Sequence, residues 1–360
     1  GMEQYATTRR LAALRAYLAE TGLDGALLTS YENRRYFCGF TGSSGYLLVT
    51  ADGARLVTDK RYTTQAEEEA KGCAVIEHGA DRLGAVARAV NEAGAGKLAL
   101  EASLPVGEYT ALAKELPQVE LRLEGQRFLE MRMVKDEEEL GNIRRAIAAA
   151  EAGFEKLLPR LKIGMTEKDL ANELHYLLSK EGAETMSFGT IVASGPRGAL
   201  AHGVPTDKVI GNGDMVVVDF GVKWNGYCSD MTRTLLFGDI AAEDMRVFKL
   251  VEESLQAARA AVRPGVKAAE VEAAHRAPFL REGLNGYTLA GLGHGIGLEI
   301  HECPRMVPQN GTVLRPGMVF TIEPGLYFPG RCGVRTEDDV LVTATGVEDL
   351  SRTPYEIHIG

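Results

Sequence analysis

The stretch GDMVVVDFG, residues 213–221, contains an apolar run that ends on a single carboxylate, Asp219. A run of this kind between glycines predicts a short strand buried on both faces. The same order of glycine, apolar strand, carboxylate and glycine returns in GMVFTIEPG, residues 317–325, where the acid is Glu323. Each stretch is followed by a turn and a second strand that carries another carboxylate. The sequence therefore predicts two similar β-hairpins with acids on both strands.

The turn of the first hairpin determines which acids approach each other. Asn225-Gly226 is a strong signal for a two-residue hairpin turn. Reflecting the chain about this turn places Asp230 opposite Asp219, or within a residue or two of that position. Two carboxylates are thus predicted to meet across the first hairpin.

The second hairpin repeats this arrangement. Glu323 and Glu337 have their midpoint at Gly330, within the turn-like segment FPGRCG. A hairpin about this glycine makes the two glutamates cross-strand neighbours. If the two similar hairpins face each other, the four acids share one neighbourhood.

Four carboxylates in a partly buried site require compensation, because burial and like-charge repulsion both raise carboxyl pKa values. Two divalent cations would cancel the four negative charges. An imidazole would complete the ligand set. Mostly oxygen ligands with one imidazole favour Mn²⁺, with Co²⁺, Fe²⁺ and Zn²⁺ as alternatives.

A histidine for this site is available in GLGHGIGLEIHECPR, residues 291–305, which contains His294 and His301. The glycines before the second histidine would each cost roughly 1 kcal/mol relative to alanine inside a helix. A helical HExxH zinc site is therefore excluded. The glycines instead favour an extended backbone that closely approaches a ligand or another strand.

The length of 360 residues favours two domains. Residues 1–130 alternate helical and extended patterns, from TTRRLAALRAYLAETG through the hairpin signal around ADG to the strand KLALE, which predicts an α/β domain. Residues 131–360 combine helical patterns with strand-rich segments that carry the acids, which predicts an α+β domain. Helices are predicted there from Asp136 to Leu158, from the capping box Thr166-x-x-Asp169, and roughly from Glu243 to Val262.

The composition disfavours several classes of partner. A net charge of −10 disfavours nucleic acid, because neutralising phosphates requires clustered Lys and Arg. No apolar run reaches the roughly 18 residues needed to cross a bilayer, and no basic segment precedes an apolar one at the start of the chain, so no membrane association is expected. Five scattered cysteines without a C-x-x-C pair favour a reducing compartment, and the cytoplasm is the expected location.

Separated motifs in the second part of the chain resemble those of one enzyme family. VVVDFG with YCSDMTRT, GLGHGIGLEIHECPR, TIEPGLY and GVRTEDDVLV are similar, in order and spacing, to motifs of the pita-bread metallopeptidases. This family includes prolidase (Xaa-Pro dipeptidase), aminopeptidase P, methionine aminopeptidase and creatinase. The first part, with YFCGFTGSSGYLLVT and LVTDKRY, is similar to the smaller creatinase-type domain of prolidases and bacterial Xaa-Pro aminopeptidases. The resemblance implies an α/β creatinase-like domain followed by an α+β pita-bread catalytic domain.

The resemblance also implies roles for individual residues. The ligands of a dinuclear metal site fall on Asp219, Asp230, His294, Glu323 and Glu337. His202 and His301 would line the substrate site and stabilise the scissile carbonyl and the tetrahedral intermediate. Arg305 would contact a substrate carboxylate, and Arg335 would support the metal ligands from outside. Four further acids are interpreted as surface charges or as supporting groups: Glu299, Glu302, Asp338 and Asp339.

The implied reaction is hydrolysis of the Xaa-Pro bond of a dipeptide or short peptide by a hydroxide that bridges two metal ions. Glu323 is predicted to accept the proton of the water and to pass it to the leaving nitrogen. Dipeptidase and aminopeptidase P activities both stay open at this point. Methionine aminopeptidase-like activity is the alternative, and a catalytically inactive binding protein is a further one, which the intact ligand set disfavours. The resemblance also implies a homodimer.

Overall fold

The computed structural model describes residues 2–360. The chain divides into two compact units, the first ending at Arg132 and the second running from Met133 to Gly360. The elements of the first unit are α1 (Met2–Thr21), β1 (Gly25–Leu28), α2 (Tyr31–Cys38), β2 (Tyr46–Thr50), β3 (Gly53–Asp59), α3 (Thr63–Glu69), β4 (Ala74–His78), α4 (Arg82–Glu92), β5 (Lys97–Leu100), α5 (Val106–Glu115), β6 (Glu120–Leu123) and α6 (Gly125–Met131).

The strands of the first unit form one mixed sheet in the order β4-β3-β2-β1-β5-β6. β2 and β3 form the predicted hairpin around ADG, with Thr50 opposite Gly53. β1, β5 and β6 run parallel to one another, and α4 and α5 share a buried apolar cluster with the sheet. The unit is therefore α/β, as the sequence predicts.

The sequence patterns do not predict α2, β4, α5, β6 or α6. α2 illustrates the reason, because two of its buried residues are polar, Asn33 and Arg34. Asn33 donates to the carboxylate of Glu101, and Arg34 donates to the backbone carbonyl of Gly42. These tertiary contacts hold α2 in place, and a search for an apolar stripe cannot detect them.

The second unit contains four helices and fourteen strands within residues 133–360. They are α7 (Glu137–Leu157), α8 (Glu167–Lys180), β7 (Thr185–Met186), β8 (Ile191–Ser194), β9 (Met215–Phe220), β10 (Val222–Trp224), β11 (Tyr227–Cys228), β12 (Met231–Phe237), α9 (Ala242–Ala261), α10 (Ala268–Arg281), β13 (Gly293–Gly295), β14 (Glu302–Met306), β15 (Val319–Ile322), β16 (Gly325–Phe328), β17 (Cys332–Arg335), β18 (Asp338–Val342), β19 (Val347–Asp349) and β20 (His358–Ile359). Short 3₁₀ turns lie at Leu158–Arg160, Gly195–Ala199 and Asn285–Tyr287.

Two sheets of the second unit carry the five predicted metal ligands, on their strands or next to them. Their strand orders are β20-β12-β9-β8 and β14-β13-β15-β18-β19. A backbone bridge between Thr232, on β12, and Glu337, next to β18, joins them. α7 and α8 share a buried apolar cluster with β8, β9 and β12, and α9 and α10 share another with β15 and β18. The predicted α+β arrangement is confirmed, with the acids on strands or next to them.

The predicted helices of this unit are present. α7 begins at a capping box of Asp136 with Glu139, and α8 begins at the predicted capping box of Thr166. α9 agrees with its predicted range to within one residue at each end. The sequence patterns do not predict α10, which packs against α9 and is fixed by a hydrogen bond of 2.6 Å from the Ser254 hydroxyl to the His275 carbonyl. Within residues 2–360, no helix has the length and apolar character needed to span a membrane.

Candidate metal centre

The first hairpin brings Asp219 and Asp230 to the same end of the β9–β12 pair. Asp219 lies opposite Thr232, so Asp230 is two residues from the facing position, as predicted. The turn residues Asn225 and Gly226 have φ values of 46° and 79°, the left-handed conformations that a tight hairpin turn requires. Local turn chemistry thus determines the register that brings the two aspartates together.

The second hairpin places Glu323 across from Glu337. β16 pairs with β17 about a turn at Gly330, whose φ is 77°. β15 and β18 pair in the same register, with Ile322 opposite Asp338. The midpoint predicted from the sequence is therefore the midpoint of the hairpin.

A direct contact joins the two hairpins at the acids. The Thr232 hydroxyl donates a hydrogen bond of 2.7 Å to Oε1 of Glu337. The Glu337 amide donates to the Thr232 carbonyl at 3.0 Å. The expectation that the two hairpins face each other is therefore confirmed.

The glycines around His294 allow three strands to approach closely. β13 lies between β14 and β15 in the sheet. A Cβ atom at Gly293 would lie 2.0 Å from the Thr321 carbonyl oxygen, and one at Gly295 would lie 2.2 Å from the Cys303 carbonyl oxygen. Neither position can hold a side chain without a backbone shift. The extended, closely packed backbone predicted for this segment is confirmed.

The imidazole of His294 is oriented by its own strand. Its Nδ1–H donates a hydrogen bond of 2.9 Å to the Gly295 carbonyl. Nε2 therefore faces the acids, 3.3 Å from Oδ2 of Asp230 and 3.5 Å from Oε2 of Glu323. A histidine whose Nδ1–H is bound to a carbonyl offers Nε2 as a metal ligand.

Four of the five predicted ligands form one compact group. Asp230, His294, Glu323 and Glu337 each offer a ligand atom, and these atoms all lie within 4.8 Å of one another. Asp219 lies beside this group and is held by Arg335, whose guanidinium donates to Oδ2 of Asp219 at 3.0 Å and to the Tyr327 hydroxyl at 3.0 Å. Arg335 is itself buried, and its guanidinium places a positive charge next to the acids.

The electrostatics of the cluster follow from burial and crowding. Burial and the charge of Asp230 raise the pKa of Asp219 well above its usual value, and the same two causes raise the pKa of Glu337. Burial opposes the ionisation of Glu323, but hydrogen bonds with Glu337 and His294 lower its pKa overall. Burial disfavours charged His294, yet hydrogen bonds to Asp230 and Glu323 raise its pKa well above its usual value. Without cations the cluster therefore limits its charge by holding protons.

The chemistry of the donors fits divalent cations. Three oxygens of the predicted ligands are buried without a hydrogen-bond partner within residues 2–360: Asp219 Oδ1, Asp230 Oδ1 and Glu337 Oε2. Buried polar atoms in native proteins almost always have a partner, because an unsatisfied one is costly. Converging carboxylate oxygens with one imidazole suit Mn²⁺ and related divalent ions, which would replace the protons.

Three further predicted site residues lie in more exposed positions. The ring centroid of His301 is 4.3 Å from that of His294, and partial burial and the neighbouring His294 lower the pKa of His301. Arg305 is exposed, its charge acts on His301, and its guanidinium forms no hydrogen bond or ion pair with any other described residue. His202 is exposed on a loop and likewise has no hydrogen bond or ion pair within residues 2–360. The structure thus brings His301 to the acids but shows no contact between His202 and them.

The acids interpreted as surface or supporting groups are mostly buried. Glu299 is half-buried, whereas Glu302, Asp338 and Asp339 are buried. Asp339 accepts a hydrogen bond of 3.2 Å from the Asp230 amide, so it orients a predicted ligand. The interpretation as surface charges is therefore wrong for Glu302, Asp338 and Asp339, which leaves a supporting role for them.

Ion pairs compensate the charges of two of these buried acids. The basic partners in these pairs are residues that the sequence analysis does not identify. Asp338 pairs at 2.8 Å with Arg233, and both side chains are inaccessible to solvent. Glu302 pairs at 2.9 Å with Lys135, which is 167 positions away in the chain. A charged residue within an apolar strand, such as Arg233 in MTRTLLF, is a sequence signal for a buried ion pair. This signal does not identify the partner residue.

Comparisons with known proteins agree with this geometry. Residues 141–344 match the family model described as metallopeptidase family M24, and residues 10–134 match the creatinase/prolidase N-terminal domain. An Xaa-Pro dipeptidase of Pyrococcus horikoshii is 34% identical over 342 residues, which is 95% of this chain and 96% of the relative. The solved structure of an Xaa-Pro dipeptidase from Bacillus anthracis superposes with a TM-score of 0.95 at 37% identity, covering 98% of this chain and 100% of that one. The structure of an X-Pro aminopeptidase from Thermotoga maritima gives a TM-score of 0.90 at 34% identity, covering 97% and 99%.

Proposed function

Because the chain belongs to metallopeptidase family M24, we propose that it hydrolyses the Xaa-Pro bond of dipeptides or short peptides. The family makes it a metal-dependent peptidase, with a creatinase-type N-terminal domain before the pita-bread domain. The Xaa-Pro preference is carried over from the relatives named for it, one of them a dipeptidase and another an aminopeptidase. The proposed ligands of two divalent ions are Asp219, Asp230, His294, Glu323 and Glu337.

The observation that supports this proposal best is the convergence of the acids with unsatisfied oxygens. Asp230 and Glu337 each have a buried oxygen without a partner, and both residues belong to a cluster that also includes His294. An inactive member of the fold would have no need to retain this costly arrangement. We propose Mn²⁺ as the ion, since oxygen donors predominate.

Bound divalent ions would lower the pKa of water and polarise the scissile carbonyl. Glu323 is the best placed residue to accept the proton of that water, because its side chain is 27% exposed whereas Glu337 is fully buried. The Thr321 hydroxyl donates to Oε2 of Glu323 at 2.9 Å and fixes the orientation of the carboxylate. Glu323 would then transfer the proton to the leaving nitrogen, as a general acid.

The more exposed residues would bind the substrate. Since the pKa of His301 is lowered, its imidazole is neutral at pH 7 and can donate one N–H to the developing oxyanion. Arg305 is an exposed cation without an ion pair within residues 2–360, which suits a substrate carboxylate. His202 would complete the oxyanion site from its loop.

One assay separates the candidate activities. Ala-Pro, Ala-Pro-Ala and Met-Ala-Ala are incubated separately with enzyme loaded with Mn²⁺, and products are separated by chromatography. Cleavage of Ala-Pro alone indicates a dipeptidase, and cleavage of Ala-Pro-Ala indicates an aminopeptidase P. Cleavage of Met-Ala-Ala alone would contradict the proposal in favour of methionine aminopeptidase-like activity.

Metal analysis tests the ligand set independently of turnover. Elemental analysis after loading with Mn²⁺ or Co²⁺ should give about two ions per chain, because two divalent charges balance four carboxylates. Asp230→Asn should lose at least one ion. Asp207→Asn is the matched control, since that carboxylate is 84% exposed and lies outside the cluster. A fully active enzyme without metal would refute the proposal.

The resemblance also supports a homodimer, and the scattered cysteines support a reducing location such as the cytoplasm. Light scattering coupled to size-exclusion chromatography tests the assembly. A dimer has twice the chain mass of 38.9 kDa.

A further inference from the structure

One buried carboxylate fastens both ends of the loop that carries His202. This segment, residues 194–206, is here called the His202 loop. Glu167, the first residue of α8, is inaccessible to solvent. Its Oε2 accepts hydrogen bonds from the Ser194 amide at 2.8 Å and from the Ser194 hydroxyl at 2.7 Å. Its Oε1 accepts from the Thr206 amide at 3.0 Å and from the Thr206 hydroxyl at 2.7 Å.

Arg197 braces the same loop from within. Its guanidinium forms an ion pair with Glu167 and donates to the Val204 carbonyl at 2.9 Å. The Gly203 carbonyl accepts a hydrogen bond of 3.1 Å from the Val192 amide on β8. The two residues that follow the histidine are therefore both held by hydrogen bonds.

The base of the His202 loop packs against the strand that ends at Arg335. A Cβ atom at Gly333, on β17, would lie 1.7 Å from the Gly198 carbonyl oxygen, so the two backbones are in direct contact. Arg335 in turn binds Asp219 at 3.0 Å. The base of the loop is thus fixed relative to the acid cluster, whereas the histidine at its apex is exposed.

We propose that Glu167 and Arg197 are positioning residues that hold the His202 loop in the conformation that presents His202 to the substrate. The inference rests on the proposed function, which assigns His202 to the oxyanion site. Neither residue reaches the acids, so both would act only through the loop. A displacement of about 1 Å in a catalytic group can reduce a rate about 100-fold, so loss of this bracing would be visible in turnover.

Glu167→Gln tests the proposal, because it removes the charge and preserves the shape. We expect kcat/KM for the cleaved Xaa-Pro peptide to fall about 10- to 100-fold, mainly in kcat. Metal content should stay at the wild-type value. Amide hydrogen exchange of residues 194–206 should become faster, because glutamine replaces one of the two acceptor oxygens by an NH₂ donor, so one end of the loop loses its acceptor.

Glu101→Gln is the matched control. Glu101 is also buried and accepts hydrogen bonds from the Ser30 amide at 2.9 Å and the Ser30 hydroxyl at 2.6 Å, at the start of another helix. It lies in the first unit, whereas the His202 loop belongs to the second. Its substitution should leave exchange of residues 194–206 unchanged and change kcat/KM less than about 2-fold.

Double variants distinguish positioning from a general structural effect. In a His202→Ala background, Glu167→Gln should lower kcat/KM by less than about 2-fold, because the side chain that it positions is gone. In a His301→Ala background the full effect should persist. Equal losses in the wild-type and His202→Ala backgrounds would overturn the proposal.

Arg197 variants provide a second route if Glu167→Gln does not fold. Arg197→Gln should have the same effects as Glu167→Gln, and Arg197→Lys, which retains the charge, should recover part of the activity. If the wild-type enzyme cleaves none of the three peptides, the proposed function fails. Hydrogen exchange then still tests the loop, and unchanged exchange of residues 194–206 in these variants would overturn the inference.

Discussion

Three carboxylate oxygens of the proposed metal ligands are buried without a hydrogen-bond partner among the described residues. Each such atom costs about 1–3 kcal/mol, and together they equal a large part of the roughly 5–15 kcal/mol that stabilises a typical domain. Bound cations would remove this cost, because each cation supplies the missing partner to several oxygens at once. At the scale of single residues, the missing hydrogen-bond partners of these acids therefore support a metal centre as much as the contacts that the acids make.

His301 differs from the proposed ligands in its exposure and lowered pKa. Substituting His301 by alanine removes a hydrogen-bond donor from the proposed oxyanion site and leaves all five proposed ligands in place. We expect kcat to fall by about 100-fold or more, which is typical for the loss of one such donor. Metal content, measured by elemental analysis, should not change. Loss of metal in this variant would instead move His301 into the ligand set.

At the scale of elements, the two hairpins and the glycine-rich strand between β14 and β15 determine the geometry of the site. Each hairpin has its register set by a turn that needs left-handed backbone, at Asn225-Gly226 and at Gly330. β13 then presents His294 between its two neighbours because its glycines allow backbone contact. The ligands come from separate elements, so the centre depends on their packing.

Gly293→Ala tests this close packing. A new Cβ atom would lie 2.0 Å from the Thr321 carbonyl oxygen, which belongs to the backbone and must shift. We expect the free energy of unfolding to fall by about 1–3 kcal/mol, as in other overpacked cores, together with loss of metal. Urea denaturation and elemental analysis measure the two effects. Gly346→Ala is the control, since nothing lies within 4 Å of that position, and an equal loss there would contradict the explanation.

Glu167, in the first turn of α8, should make the free energy of unfolding depend on pH. Burial opposes ionisation of Glu167, but hydrogen bonds from Arg197, Thr206 and Ser194 lower its pKa overall. A carboxyl whose pKa is depressed on folding stabilises the protein above its unfolded pKa, and this contribution is lost as the pH falls through the folded pKa. Glu167→Gln should therefore destabilise the protein by about 1–3 kcal/mol at pH 7.

The same difference should decrease below about pH 4.3, the usual pKa of a glutamate in an unfolded chain. Urea denaturation of wild type and Glu167→Gln at several pH values between 3 and 7 measures it. Glu173→Gln serves as a control, because that carboxylate is 43% exposed and forms a surface ion pair. A constant difference between wild type and Glu167→Gln at all pH values would contradict a lowered pKa.

At the scale of the whole molecule, the chain comprises two units with separate apolar cores. All five proposed ligands belong to the second unit, so metal binding is expected to stabilise that unit specifically. A ligand that binds only the folded state adds stability according to its concentration relative to Kd, about 2.7 kcal/mol at 100 times Kd.

Metal loading should therefore protect the two units differently. We expect Mn²⁺ to slow hydrogen exchange in residues 133–360 and to leave exchange in residues 2–132 unchanged. Calorimetry should show a higher Tm on loading, and EDTA should reverse it. Asp230→Asn should respond less than wild type. Equal protection of both units would contradict a site confined to the second one.

The sequence alone was sufficient for the approximate registers of the two acid-bearing hairpins, because turn chemistry is a local property. Asn225-Gly226 and Gly330 predict which acids face each other, and the glycines predict the extended strand of His294. The family resemblance added the proposed identity of the ligands. Helices held by polar contacts, such as α2, could not be predicted from the sequence, since an apolar stripe is the main sequence signal for a helix.

Only the tertiary structure decided which charges are buried together. The pairing of Lys135 with Glu302 and the closure of the His202 loop by Glu167 join residues far apart in the chain. No local pattern encodes them, because a buried charge is stable only beside a partner that folding brings to it. The order of acids along the chain thus determined the chemistry of the site, and long-range packing determined how its supporting residues are held.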